Sequence, residues 1–486
     1  IFGQNRHRSA YDHDGDGYSE IPKLHGQTIG FRSFLKTTTY SKLTFEYHHM
    51  EEFRRGGDLL NRPPHEANVA EQTEHSINGG GLKFDYFSPN ENHRFNVFAS
   101  AQHINRDSYY GPGDRDPLDA YGNTTDLNWM AGSQYVYSFG KCIFMPSDLT
   151  AGIEFNQDKL EDNMWGYNRT VDQKVNIGSA FLQNEWKNDH WGFLIGGRLD
   201  KHNLIDHVIF SPRANLRYNP TENINLRFSY SSGFRAPQAF DEDLHVENVG
   251  GNVAMVELAD NLKEERSQSL SASADIYHRF GAFQVNFLVE GFYTKLSDVF
   301  ALTDGEVVDG ILTRTRHNAS GAQVLGLTLE GKMAYLNKIQ VQAGVTLQQS
   351  HYSKPHIWNK EAPAVKKMMR TPNTYGYFTA TYTPIKPLSI ALSGTYTGSM
   401  LVPHEPVPGF LENPITVNTK DFFDIGLKAA YDFKLYKSMN LQLNAGIQNI
   451  FNAYQDDFDK GADRDSGYIY GPSLPRSFFA GVKISY

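Results

Sequence analysis

Four acidic residues occur close together near the start of the chain, in the stretch DHDGDGYSE. Carboxylates at this spacing, with Gly17 at the position of the sharp turn, are typical of the first part of an EF-hand loop, which binds Ca²⁺. Lys23 stands where such a loop requires its bidentate glutamate, so a neighbouring segment has to supply further ligands. The sequence predicts a structural Ca²⁺ site, with a solvated acidic loop as the alternative, and requires no other cofactor. The candidate ligands are Asp12, Asp14, Asp16 and Glu20.

A second group of side chains is suited to contact a metal chelate. Imidazole and thioether groups are axial ligands of metallated tetrapyrroles, and tyrosine rings pack against flat or bulky chelates. The candidates lie in or next to polar segments and are His48, His65, Tyr109, Tyr110, Arg235, His245, Met400 and His404. Each has a structural alternative. The chain has 18 histidines, some of which cluster by chance, tyrosines also form interfacial girdles, and Arg235 is expected to pair with an acidic group such as Glu290.

Other kinds of chemistry lack their motifs. The chain has no GxSxG, HExxH or P-loop sequence, and we therefore predict that it is not an enzyme. Its single cysteine, Cys142, excludes an internal disulfide framework. The formal net charge of -9, without a block of basic residues, gives no indication of a nucleic-acid partner.

The segments that must position these groups have the period of β-strands. In NINLRFSY (residues 223–230) and IQVQAGVTLQ (residues 339–348), apolar and polar residues alternate strictly. Alternate side chains lie on opposite faces of a strand. Such runs extend over roughly 10 to 16 residues, whereas strands of ordinary globular proteins have about 5 to 6. No run of about 18 apolar residues is present to form a transmembrane helix.

The connections between these strands are alternately short and long. Short turns are predicted at residues 37–42, 88–93, 218–223, 278–283, 334–338, 382–387 and 433–438, with looser ones near 140–147 and 186–192. Long polar segments lie between them, at 9–26, 53–73, 107–125, 234–263, 350–372, 399–419 and 453–473. This asymmetry, together with about 20 strands and 13% aromatic residues, is typical of a transmembrane β-barrel.

We therefore predict an all-β fold, in which residues 1–486 form one large antiparallel transmembrane β-barrel with short periplasmic turns and long extracellular loops. A soluble β-sandwich, propeller or solenoid is the alternative, but it fits less well because of the strand length, the unequal loops and the missing fixed repeat. The last strand, SFFAGVKISY, is amphipathic and ends on an aromatic residue. It is similar to the terminal strand that outer-membrane barrel assembly recognises.

Two stretches resemble the TonB-dependent outer-membrane receptors, most closely those of Bacteroidetes-type bacteria. They are GFRAPQAFDEDLH, residues 233–245, and NIFNAY followed by YGPSLPRSFFAGV near the C-terminus. The resemblance implies a multi-pass protein of the bacterial outer membrane with about 22 strands around a plug domain. The chain shows neither plug nor TonB box, so we expect the plug and the first hairpin to belong to a longer precursor. The implied partners are the TonB–ExbB–ExbD complex, acting through the plug, together with membrane lipid and lipopolysaccharide.

The resemblance also implies active uptake of a scarce nutrient that contains a metal. We expect a cobalamin-type corrinoid first, haem second and an iron siderophore or other metal chelate third. Haem is placed lower because FRAP runs into QAFDEDLH without the NPxL box of haem receptors. The alternatives are an oligosaccharide or peptide importer that works with a surface lipoprotein, and a surface barrel that serves as a channel or adhesin.

Overall fold

The computed structural model describes residues 1–112, 120–249, 252–436, 438–472 and 474–486. Parts of three predicted polar segments, residues 113–119, 250–251 and 473, and residue 437 of a predicted turn lie outside the described residues. Within the described part of the chain, no helix is long and apolar enough to cross a membrane.

Most of the chain forms one antiparallel sheet of 21 strands, of which one is only three residues long. The twenty longer strands follow the chain as a meander, each paired with the next. They are β1 (Phe2–Arg8), β2 (Ser19–Thr38), β3 (Ser41–Gly57), β4 (Val69–Phe87), β5 (His93–Pro112), β6 (Tyr121–Cys142), β7 (Met145–Met164), β8 (Arg169–Lys187), β9 (Trp191–His202), β10 (Ile209–Thr221), β11 (Ile224–Arg235), β14 (Glu265–Phe280), β15 (Phe283–Ser297), β18 (Ala322–Tyr335), β19 (Ile339–His356), β21 (Thr374–Ile385), β22 (Leu388–Thr397), β25 (Phe422–Tyr436), β26 (Met439–Gln448) and β27 (Ser477–Ser485). The predicted all-β barrel fold and its strand number are confirmed.

The remaining elements lie in the long connections at one end of the barrel. The three-residue strand β20 (Val365–Lys367) pairs with β19. A separate four-stranded sheet contains β12 (Glu247–Val249), β13 (Asn252–Leu258), β17 (Ile311–Asn318) and β16 (Phe300–Val308), and β23 (Leu401–His404) pairs with β24 (Ile415–Asn418). The short helix α1 (Asp241–Leu244) and two 3₁₀ turns, Pro64–Glu66 and Trp165–Tyr167, complete the described elements.

The alternation predicted from the sequence separates the two faces of the barrel wall. Phe45 is paired with Leu82 across the ladder, and both side chains are exposed on the outer face. Arg198 of β9 lies on the other face, where its guanidinium donates to the carboxylates of Glu154 (2.6 Å) and Asp200 (2.8 Å). Apolar groups therefore face lipid and hydrogen-bonded polar groups line the lumen, as the hydrocarbon layer requires.

The predicted short turns are all found at the opposite end of the barrel from the long connections. They join β2 to β3, β4 to β5, β6 to β7, β8 to β9, β10 to β11, β14 to β15, β18 to β19, β21 to β22 and β25 to β26. The strands, however, extend further into the predicted loops than the sequence indicates, and β6 reaches 22 residues. Polar residues do not end these strands because the neighbouring strand continues to satisfy their backbone groups.

The first and last strands each have one neighbour among the described residues, since β1 pairs with β2 and β27 with β26. Their extracellular connections are nevertheless in contact. Arg464 lies between β26 and β27. It donates to Asp16, between β1 and β2, and to Glu20, at the start of β2. The expected additional hairpin and plug remain predictions.

Candidate ligand-binding site

The segment after β11 carries three consecutive acids on α1, and they pair with three arginines that lie on different strands. A carboxylate held by arginine in this way forms a strong, charge-assisted hydrogen bond. The pairs are Asp241 with Arg106 of β5 (2.8 Å), Glu242 with Arg235 of β11 (2.6 Å) and with Arg316 of β17 (3.1 Å), and Asp243 with Arg316. These contacts hold α1 against the barrel wall on one side and the four-stranded sheet on the other.

A fourth arginine, Arg169 at the start of β8, fixes the end of the helix. Its guanidinium donates to the carbonyl oxygens of Asp243 (3.3 Å) and Leu244 (2.9 Å), and to the carboxylate of Asp162 (2.9 Å). The Arg169 and Asp162 side chains are 7% and 1% exposed. A buried charge pair of this kind keeps its place only while both partners are present.

Arg235 of the FRAP stretch is directed at this helix. Its guanidinium lies 4.0 Å from the ring centre of Phe240 and 5.6 Å from that of Phe300, as well as pairing with Glu242. The prediction that Arg235 pairs with an acid such as Glu290 was wrong. Glu290 lies opposite Ser273 in the β14–β15 hairpin, whereas Arg235 lies opposite Glu265, several residues away. Burial raises the pKa of the Glu242 carboxyl group, but the bond and charge of Arg235 and the charge of Arg316 outweigh it and lower that pKa.

His245 and Tyr110 are brought together directly after α1. Their rings meet edge to face with 5.1 Å between centres, and His245 Nε2 lies 3.1 Å from a carboxylate oxygen of Glu71. Burial lowers the pKa of His245, but the hydrogen bond and charge of Glu71 raise it by more, so the pKa lies above its ordinary value. The imidazole is thus held by an acid and a ring, and sequence spacing could not reveal either partner.

Two cavities adjoin at His245. One, of about 340 Å³, is lined by Arg235, Glu242, Glu247, Phe300, Arg314 and Arg316 in addition to His245. The other, of about 240 Å³, lies between His245, Tyr110, Glu71 and Arg464. Both combine charged groups with aromatic or apolar walls, which is the composition of sites that orient small ligands. Three of the predicted contact residues, Tyr110, Arg235 and His245, therefore line cavities.

Tyr109 and His65 lie elsewhere. Successive residues of a strand point to opposite faces, and Tyr109 packs on Tyr121 with 4.9 Å between ring centres, away from the partners of Tyr110. His65 Nδ1 is 3.2 Å from the Tyr121 hydroxyl group. These two predicted contact residues thus form part of the packing around the 58–68 connection.

His48 lies on the barrel wall, opposite Gly79 of β4. The imidazole occupies the space above this glycine, since a Cβ atom there would be 2.5 Å from His48 Cε1. The glycine therefore leaves room for the ring.

Met400 and His404 lie in the long connection between β22 and β25, and both are buried in it. His404 Nε2 lies 3.0 Å from each carboxylate oxygen of Asp459, and its ring stacks on Tyr468 at 3.7 Å. Met400 packs in a cluster with Val402 and Tyr468. His404 is 5% exposed, so contact with a ligand requires this packing to open. Their ligand role stays a prediction.

A polar junction next to His404 was not predicted. Arg314 of β17 donates to the carboxylates of Glu247 (2.7 Å), Asp304 (3.0 Å) and Glu405 (3.3 Å), and the Asn359 amide donates to Glu405 (3.0 Å). Four extracellular connections meet in this junction. Burial and the charge of Asp304 raise the pKa of Glu405 to about 7. No local signal marks these residues in the sequence, because they come from four different connections and only Asp304 and Arg314 share one.

The four predicted calcium ligands do converge. One ligand atom from each of Asp12, Asp14, Asp16 and Glu20 lies within 4.8 Å of the others. Cationic side chains already face the cluster: Arg464 donates to Asp16 and, at 2.9 Å, to Glu20, and Lys460 lies 3.6 Å from Asp14. Calcium binding therefore stays a prediction, and an ion at this place has to compete with Arg464.

Replacing Arg464 tests that competition. In Arg464→Gln the carboxylates of Asp16 and Glu20 lose their guanidinium, so we expect a lower melting temperature without Ca²⁺ and a larger rise on adding millimolar Ca²⁺ than in the wild type. Thermal unfolding in chelator and in Ca²⁺ measures both, with Lys420→Gln, which breaks an exposed pair with Asp456, as the control. Equal Ca²⁺ responses in all three proteins would exclude calcium from the cluster.

Several solved structures have a similar architecture. The siderophore receptor PirA from Acinetobacter baumannii has a TM-score of 0.72 at 14% identity, over 96% of this chain and 72% of that one. The ferric-catecholate import receptor Fiu from E. coli K12 gives 0.71 at 13%, over 99% and 76%. A mutant of the ferric enterobactin receptor PfeA from Pseudomonas aeruginosa gives 0.71 at 15%, over 96% and 70%. At these identities the likeness concerns the fold.

No curated protein sequence matches the chain significantly. A family model does, and it covers residues 3–450, from the first strand to two residues beyond the end of β26. Its description is "TonB dependent receptor-like, beta-barrel". The chain therefore belongs to the family of TonB-dependent receptor β-barrels.

Proposed function

We propose that this protein is the barrel of an outer-membrane transporter that takes up a metal chelate with energy supplied through TonB. The observation that carries the proposal is the pair of cavities around His245, formed where the extracellular connections meet. Arginine side chains, an imidazole and aromatic rings suit a bulky ligand with a polar periphery better than a simple ion. Three structures of similar fold are those of a siderophore receptor, a ferric-catecholate import receptor and a ferric enterobactin receptor, which supports an iron chelate.

The corrinoid that the sequence analysis placed first, and haem, are the competing ligands within this function. Neither ligand requires a different barrel. One binding experiment can therefore distinguish the corrinoid, haem and an iron chelate. The TonB–ExbB–ExbD complex, lipopolysaccharide around the apolar outer wall and a surface lipoprotein remain proposed partners. The family's plug domain has to be present for selective transport, because a barrel of this width encloses an open lumen.

A binding titration tests the proposal. The full-length receptor in detergent is titrated with a ferric tris-catecholate, a ferric trihydroxamate, cyanocobalamin and haem, and bound chelate is followed by its visible absorption. We expect saturable binding of an iron chelate, weakened by roughly tenfold in His245→Ala through loss of a charge-assisted contact. The matched control is His65→Ala, which removes an imidazole that also contacts a tyrosine but lies away from the cavities.

Each alternative outcome has a defined meaning. Tight binding of cyanocobalamin alone would establish the corrinoid order expected from the sequence. A shifted haem band lost in His245→Ala or His404→Ala would indicate axial ligation. Failure of every chelate to bind would reject chelate uptake and favour the oligosaccharide importer or channel.

A further inference from the structure

Two arginines in the larger cavity converge on one oxygen atom of one side chain. Arg235 Nη2 lies 2.6 Å and Arg316 Nη1 lies 3.1 Å from Glu242 Oε1. The Glu242 side chain is 57% exposed, whereas that of Arg316 is 8% exposed. The Arg235 side chain is 37% exposed, so the acid is the most exposed of the three groups and Arg316 is the most buried.

The two guanidinium groups have supports that do not depend on Glu242. Arg316 also pairs with the buried carboxylate of Asp243. Arg235 is packed over the rings of Phe240 and Phe300. If the Glu242 side chain turned into solvent, both cations would keep their positions and would present free donors to the cavity.

Glu242 has no comparable anchor. Among the described residues, the hydrogen bonds of its carboxylate are the two from Arg235 and Arg316. An exposed glutamate gains little net free energy from an ion pair, because water screens the charges and the flexible side chain loses rotamer freedom. Its displacement is consequently inexpensive compared with moving either arginine.

Glu242 is one of two acids in the lining of the cavity. Arg235, Arg314 and Arg316 line it together with Glu242 and Glu247. Without Glu242, three guanidinium groups face a single carboxylate of the lining, in a partly enclosed space where charge interactions are stronger than in bulk water. An anion entering the cavity would meet Arg235 Nη2 and Arg316 Nη1, the two donors that Glu242 occupies. Charge-assisted hydrogen bonds from guanidinium groups suit carboxylate or catecholate oxygens.

We propose that Glu242 is a resident substitute for an anionic group of the transported ligand, which displaces it from Arg235 and Arg316 on binding. The inference rests on the proposed chelate-uptake function and names its substrate class: metal chelates whose periphery carries carboxylate or catecholate oxygens. Chelates that are neutral or cationic at their periphery cannot make this exchange. Glu242 therefore sets the charge selectivity of the site and at the same time ties α1 to the wall in the absence of ligand.

Opposite effects of two charge-neutralising substitutions test the exchange. The full-length receptor in detergent is titrated with a trianionic ferric tris-catecholate and with a cationic ferric trihydroxamate. Glu242→Gln removes the competing charge and keeps the side-chain shape, so we expect it to bind the catecholate roughly tenfold more tightly. Arg235→Gln removes a donor and is expected to weaken the same complex by a similar factor. Neither variant is expected to alter hydroxamate binding by as much.

Two controls separate displacement from a general change of field. Glu247→Gln removes a charge from the same cavity, but Arg314 keeps Asp304 and Glu405 as partners, so its effect on catecholate affinity is expected to be smaller than that of Glu242→Gln. Glu161→Gln breaks an exposed pair with Lys159 and is expected to change nothing.

The failures are distinguishable. Weaker catecholate binding in Glu242→Gln, or equal gains in Glu242→Gln and Glu247→Gln, would overturn the exchange. Wild-type receptor that binds only the hydroxamate, or only cyanocobalamin, would also overturn it and would leave chelate uptake standing. Absence of binding by every chelate would remove both.

Discussion

The substitution Arg169→Met is expected to release the segment around α1 from the barrel while the barrel itself stays folded. Arg169 donates to two carbonyl oxygens at the end of the helix and to the buried carboxylate of Asp162. Methionine fills similar space but has no donor. Breaking one partner out of a buried ion pair costs roughly 3 to 5 kcal/mol, because the other charge remains buried with less compensation.

Hydrogen exchange gives the readout. The backbone N–H groups of Ala239, Phe240 and Asp243 donate to Gln173, to the Asp243 carboxylate and to the Phe240 carbonyl group. We expect their protection to fall by roughly 100-fold or more in Arg169→Met. Amides in the centre of β7 and β8 should keep their wild-type protection.

Lys159→Met is the matched control. Lys159 also pairs with an acid, Glu161, on the neighbouring strand β7, but the two side chains are half exposed. Water screens an exposed pair, which therefore contributes little to stability, so protection around α1 should be unchanged. Equal loss of protection in both variants, or none in Arg169→Met, would show that the buried pair does not anchor the helix.

The junction around Glu405 is expected to lose stability as the pH rises from about 5 to 8. The Glu405 carboxyl group lies among Arg314, Asp304 and Asn359, and its backbone N–H donates to the carboxylate of Asp465. Burial, and next the charge of Asp304, raise the Glu405 pKa from its ordinary value of 4.5 to about 7. Burial raises the pKa of Asp465 as well.

The direction of the pH dependence follows from proton uptake. Because the pKa of Glu405 is raised on folding, the folded junction holds the proton more tightly than the unfolded chain does. Its stabilising contribution is therefore fully present below pH 4.5 and is lost as the pH rises through about 7. The difference between the two pKa values corresponds to a free energy on the order of 3 kcal/mol. Asp465 contributes with the same sign.

Hydrogen exchange at the Glu405 and Asp465 amides, corrected for the intrinsic effect of pH, measures this contribution. In the wild type we expect protection to fall between pH 5 and 8. In Glu405→Gln, which cannot ionise, the fall should be much smaller, and only the part due to Asp465 should remain. Glu412→Gln, in the same connection, serves as a control for lost negative charge. Parallel pH profiles in the wild type and Glu405→Gln would contradict the assignment of the proton to Glu405.

The barrel could be predicted from the sequence because its determinants are local. Alternation is a property of neighbouring residues, and a tight turn needs only a few polar residues, so the turns between Thr38 and Ser41 and between Phe280 and Phe283 lie within the predicted ranges. The hairpin of β16 and β17 was not identified as part of an extracellular connection. Period alone does not distinguish a hairpin in a loop from one in the wall.

The candidate site was only partly predictable. Residue type identified Tyr110, Arg235 and His245, and loop position placed Met400 and His404 on the extracellular side. The partners of these residues are distant in sequence: Glu71 is 174 residues from His245, and Asp459 is 55 residues from His404. Whether a histidine is open to a ligand or satisfied by a carboxylate depends on such partners. The three consecutive acids of α1 were the signal in the sequence that could have indicated its arginine partners.

The adjacent tyrosines at the end of β5 belong to one buried cluster, but their rings have different neighbours. Tyr110 borders the cavity beside His245, whereas Tyr109 packs on Tyr121, whose hydroxyl group contacts His65. Because the two rings belong to consecutive residues of one strand, we expect a displacement of one ring to shift the other. We therefore expect the fluorescence of a label on the 58–68 connection to change when a ligand binds in the cavity beside His245.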